Sequence, residues 1–161
     1  MPRLWAKTAS FDTISVGDEL PILVKWETEE TIKRFRSLAS PSEDLADSTQ
    51  ETADETASEP AGERATAQPV SVWAMAFTAY VAELLEKAFK LPNIVAKGSQ
   101  LDLEILQPVN PGDTLVLSGS VVDKRVEQES GLQELRLVVC QVVIENQSGE
   151  AVASADALVS L

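Results

Sequence analysis

Residues 69–90 constrain the fold more than any other stretch, because Val72, Trp73, Ala76, Phe77, Tyr80, Leu84 and Ala88 recur at helical spacing. The first four turns are apolar nearly all round, so such a helix has to be covered on most of its sides. Pro69 suits its first turn, Glu83, Glu86, Lys87 and Lys90 carry its last turns into solvent, and Leu91-Pro92-Asn93 is read as its stop. Val72, Phe77, Val81 and Leu84 are expected to be largely buried.

The cover is β. Residues 101–106, 115–122, 132–145 and 151–161 are rich in Val, Leu and Ile, and Glu129-Ser130-Gly131 and Gln147-Ser148-Gly149 are short enough to close hairpins. A meander of these strands curling around the helix is the expected arrangement. Ala151, Ala153, Ala155 and Ala157 share one face of the last strand and would let the sheet approach the helix closely. Before the long helix, Val16-Gly17-Asp18-Glu19-Leu20-Pro21 reads as a turn and Ile22-Leu23-Val24 as a short strand. Thr28 reads as the N-cap of a second helix over residues 29–38, with Ile32, Phe35 and Leu38 on its packing face.

Residues 40–68 differ in kind: Ser, Thr, Ala and acidic residues dominate, Pro41, Pro60 and Gly62 interrupt them, and large apolar side chains are almost missing. This stretch is read as an exposed acidic insertion within one domain spanning residues 1–161, since the segments on either side are too small to fold alone.

Thirteen Lys and Arg face 26 Asp and Glu, a formal charge of −13 that disfavours nucleic acid and anionic membranes as partners. The charge-free stretch at residues 65–82 is broken by Gln68, Pro69, Ser71 and Thr78, which suits a buried helix better than a membrane span. The N-terminus lacks a signal-peptide pattern, and the single Cys140 lies in an apolar run, so core filler in a cytoplasmic protein is the simplest reading. No histidine occurs, which removes imidazole acids and bases; no metal site is expected from one Cys and scattered carboxylates, nor is a cofactor.

Three stretches resemble the MaoC-like dehydratases, a family that includes the R-specific enoyl-CoA hydratases. They are Phe11 through Pro21 leading on to Phe35, then Pro69-Val70-Ser71-Val72-Trp73-Ala74-Met75, and Gln107-Pro108-Val109-Asn110-Pro111-Gly112-Asp113-Thr114-Leu115 followed by Gly119 and Val121. The last is the most specific. The resemblance implies an α+β hot-dog fold, a long central helix wrapped by an antiparallel sheet. Gly17-Asp18 and Gly112-Asp113 are themselves good turn sequences, and a purely structural role is preferred for both.

The family's hydratases are similar in carrying an Asp and a His after the short helix, an acid–base pair that adds water across an enoyl thioester. This chain departs from that pattern, with Pro41 near the Asp position and Ala46 near the His position. Asp44 and Asp47, or Glu43, are the weak carboxylate candidates left. At the helix start, Val70, Ser71, Val72 and Trp73 stand where the resemblance places substrate binding, with Trp73 replacing an expected glycine that lets a thioester carbonyl approach. The implied role is a non-catalytic subunit beside a catalytic hot-dog partner, with acyl-CoA or another acyl thioester as ligand. Two alternatives remain open: a homodimer that holds acyl-CoA without turnover, and a carboxylate-only thioester hydratase or thioesterase.

Overall fold

A computed structural model describes residues 3–5, 9–39, 72–129, 131 and 133–161. The acidic stretch 40–68 and the helix-start residues Val70 and Ser71 lie outside the described residues. The elements run β1 (Leu23–Trp26), α1 (Glu29–Ala39), α2 (Val72–Ala88), α3 (Leu91–Ile94), β2 (Gln100–Ile105), β3 (Thr114–Glu129), β4 (Gln133–Glu145) and β5 (Ala151–Ser160). All strand pairs are antiparallel, in one five-stranded sheet of order β1-β3-β4-β5-β2. This sheet around α2 is the expected α+β hot-dog fold.

Period-2 alternation puts the core on one face of each long strand. Val138, Cys140, Val142 and Ile144 of β4 are buried, and they pair across the ladder with Val159, Ala157, Ala155 and Ala153 of β5. On the other side of β5, Ala157 and Ala155 meet the half-buried Leu101 and Leu103 of β2. The alanine row between two rows of larger residues leaves the depth that α2 fills with Phe77, Val81, Leu84, Leu85 and Ala88. Cys140 belongs to this core, and burial pushes its thiol pKa up to about 12.

Four details differ from the sequence expectation. Only β3, β4 and β5 form a meander; β2 crosses to the far edge beside β5, because residues 106–113 span the sheet instead of closing a hairpin. β3 continues past Val122 to Glu129, and a register shift between Val121 and Asp123 marks a bulge that lets it bend. Leu91-Pro92-Asn93 does not merely end α2, since Pro92 sits in the first turn of the short α3, where its missing N–H is not needed. Phe77, Val81 and Leu84 are buried as expected, whereas Val72, the first residue of α2, is half-buried.

Candidate functional site

The 107–115 stretch folds as its turn sequence dictates. Gly112 takes φ of 95°, a conformation open to a residue without Cβ, and the Asn110 N–H donates to Asp113 Oδ2 at 2.8 Å. Gly17 with φ of 94° and Asp18, which accepts the Ser15 N–H at 2.8 Å, repeat the device near the N-terminus. Two hydrogen bonds to Asp113 Oδ atoms, from the Asn110 backbone first and from Gln147 second, hold its carboxyl below its ordinary pKa.

This turn also fixes a residue that the sequence reading passed over. Glu27, in the link between β1 and α1, donates its N–H to the Asp113 carbonyl at 2.8 Å and accepts the Gly112 N–H at 2.6 Å. Its side chain points inward and is 0% exposed. Neither carboxyl oxygen meets strict hydrogen-bond geometry, and the contact the carboxyl does make is a looser one with the Tyr80 phenol. A buried polar group short of hydrogen bonds costs on the order of 1 to 3 kcal/mol, so the Tyr80 contact matters to this carboxyl.

Tyr80 of α2 is its neighbour. Burial first, then a hydrogen bond to the Glu27 carboxyl and the negative charges of Glu27 and Glu83, push the phenol pKa far up, so its O–H stays protonated. Lys25, inward on β1 two residues before Glu27, is committed elsewhere: its ammonium pairs with Glu83 and lies 5.1 Å from the centre of the Tyr80 ring. Phe35 of α1 meets the same ring edge-on at 5.9 Å. Thr28 caps α1 by accepting the Thr31 N–H at 3.1 Å, which sets the helix start directly after Glu27.

A cleft of about 330 Å³ lies between the first turns of α1, the start of α2 and the 107–115 turn, lined by Glu29, Ile32, Lys33, Arg36, Trp73, Val109 and Pro111. Trp73 stacks on Phe77 at 5.7 Å and is half-buried. The structure therefore brings Trp73 together with the 107–115 turn, with Val72 one residue before it at the head of α2. Asp44 and Asp47 lie outside the described residues, as do Val70 and Ser71. One signal could have found Glu27: continuing the alternation of β1 places Lys25 and Glu27 on the face of the buried Leu23.

Among the described residues no group of His, Cys, Asp and Glu could hold a metal ion, and no helix is long and apolar enough to cross a membrane.

The fold recurs in solved structures. The Monoamine oxidase regulatory protein from Archaeoglobus fulgius is 20% identical with a TM-score of 0.58, over 100% of this chain and 95% of its own. A MaoC-like dehydratase from Rhodospirillum rubrum is 22% identical at TM-score 0.56, over 93% of this chain and 94% of its own. The (R)-hydratase from A. caviae involved in PHA biosynthesis is 20% identical at TM-score 0.56, over 92% of this chain and 98% of its own. No curated protein matches the chain. The FAS1-like, dehydratase domain region family matches residues 28–155, from the cap of α1 to the middle of β5, and the chain belongs to that family, with the hot-dog fold that the structures above share.

Proposed function

We propose that this chain is a hot-dog subunit of an enoyl-thioester hydratase or dehydratase, non-catalytic by itself and acting beside a catalytic hot-dog partner. The observation that carries the reading is the lack of any histidine among its 161 residues in a dehydratase family. A positioned general acid or base contributes roughly two to four decades of rate, and the partner supplies that Asp/His chemistry. The ligand is acyl-CoA or another acyl thioester, approaching the helix-start residues Val70, Ser71, Val72 and Trp73, and the assembly works in the cytoplasm. The cleft between Trp73, Val109 and Pro111 supports this placement, since it joins the α2 start to the family-like turn.

The test is hydration of crotonyl-CoA by the purified chain, alone and mixed with a hot-dog protein that has an intact Asp/His pair. Activity only in the mixture, surviving Asp44→Asn and Asp47→Asn, is the expected result. Efficient hydration by the chain alone, abolished by either change, would establish the carboxylate enzyme in its place. Recovery of a stable homodimer with bound acyl-CoA and no turnover in any mixture would favour the binding protein.

A further inference from the structure

The cleft beside Trp73 runs against the charge of the chain as a whole. The sequence carries 13 Lys and Arg against 26 Asp and Glu, yet Lys33, Arg34 and Arg36 follow one another closely in α1. Arg34 lies 3.9 Å from Glu30, one turn back, and that pair stands in solvent. Lys33 and Arg36 line the cleft instead, and among the described residues neither has an ion-pair partner. Glu29, Ile32, Lys33 and Arg36 are spaced i, i+3, i+4 and i+7, so they share one face of the helix. Along that face Glu29 stands about 10 Å from Arg36, at the N-terminal end where its charge is favourable, which leaves the other end of the cleft cationic.

Two exposed cations by themselves make only a surface patch, and the apolar lining between them makes a site. Ile32 is 5% and Val109 6% exposed, and the half-buried Trp73, stacked on Phe77, stands with them. Such a lining fits an oxyanion carried on an apolar stem: the Arg36 fork matches two oxygens at once and the Lys33 ammonium adds a point charge. A volume of about 330 Å³ is at the small end of ligand pockets, so the cleft takes one end of a thioester and not the whole of it. We propose that this cleft is an oxyanion-anchoring subsite, at which Lys33 and Arg36 clamp either a carboxylate at the acyl tip or a phosphate of the carrier, while Ile32, Val109 and Trp73 hold the adjoining stem. The assignment rests on the thioester reading and deepens it: this subunit selects its ligand by the charge at one end.

The experiment measures dissociation constants of hexanoyl and glutaryl thioesters, each on CoA and on pantetheine, for the native assembly containing the full chain. If the anion is a phosphate of the carrier, hexanoyl-CoA should bind about tenfold tighter or more than hexanoyl-pantetheine. If it is an acyl carboxylate, glutaryl-pantetheine should bind tighter than hexanoyl-pantetheine by the same margin. Lys33→Gln and Arg36→Gln should each reduce that preference, the double variant should lower it about tenfold, and added salt should shrink it in the wild type. Both side chains are exposed, so the variants should melt with the wild type. A preference that survives the double variant overturns the assignment, and so does the lack of any preference for either anion. An equal loss for every ligand, neutral hexanoyl-pantetheine included, shows a merely structural role for the two cations and overturns it as well. Failure of the wild type to bind any of these thioesters overturns the thioester reading and this assignment together, whereas binding indifferent to charge overturns this assignment only.

Discussion

The two sides of α2 are built on opposite principles. Toward β4 and β5 it meets Val138, Val142, Ile144, Ala153, Ala155 and Ala157, with the Cys140 thiol as the one heteroatom among those inward side chains. Toward β1 and α1 it meets Lys25, Glu27 and, beside its own Glu83, a tyrosine whose phenol is held among them. Burial on the first side adds stability at roughly 25 cal/mol for each Å² of apolar surface removed from water. On the second side the same burial raises the cost of every polar atom. One helix thus separates a sealing wall from a polar one, and the chemistry worth testing lies on the polar wall.

The contrast can be broken most decisively at Phe77, which is 0% exposed, belongs to the core cluster and stacks on Trp73. Phe77→Ala should cost about 3 to 5 kcal/mol in chemical denaturation. A loss below about 1 kcal/mol would mean that α2 is not the packed centre of the sheet. Gly119 of β3 comes next, because a Cβ there would lie 2.5 Å from the Gln141 carbonyl oxygen and 3.1 Å from Leu20. Gly119→Ala forces backbone apart and should cost about 1 to 3 kcal/mol, read as a lower midpoint with an unchanged denaturant slope.

Thr28→Ala removes the α1 cap and should cost about 1 kcal/mol. Because α1 covers the polar wall, amide exchange in α1 should quicken while exchange in β4 and β5 keeps its wild-type pattern. Acceleration spread evenly over the sheet would show that the two sides open as one unit. Titration adds two effects of opposite sign, one in the sealing wall and one in the 107–115 turn. The Cys140 pKa is raised from 9.0 to about 12, so its contribution is complete below pH 9 and declines as pH rises toward 12. Alkaline melting should show that decline, and Cys140→Ala should remove it. The smallest effect belongs to Asp113, whose folded pKa lies below the ordinary 3.8. Its stabilisation is present above that value and fades as pH falls through the folded one, so Asp113→Asn should flatten the acid limb of the stability curve slightly.

The sealing wall was legible because its code is periodic. Helical spacing picks out Phe77, Val81 and Leu84, and the alternating alanines of 151–157 announce a sheet that comes close to a helix. Val72 obeys the same periodicity and is still only half-buried, since periodicity names a face without saying how far the cover extends. The place of β2 could not be read either. Adjacent strands usually pair, and nothing within residues 100–105 distinguishes a partner in β3 from one in β5.

Glu27 shows the deeper limit. In the sequence it stands in Trp26-Glu27-Thr28-Glu29-Glu30 and looks like one more acid at a helix start, where negative charge is favourable and solvated. Alternation along β1 names the face it shares with Leu23, but not that the 107–113 turn would clamp its backbone or that Tyr80 would be its hydrogen-bonding neighbour. By itself the sequence determined an apolar helix under an antiparallel sheet, a family resemblance carried by the 107–115 turn, and the lack of an imidazole. Those properties depend on residue type and short-range spacing, which the chain carries before it folds. Only the tertiary structure decided that Glu27, at 0% exposure, is sealed against Tyr80, because desolvation is set by what distant segments bring together around a group.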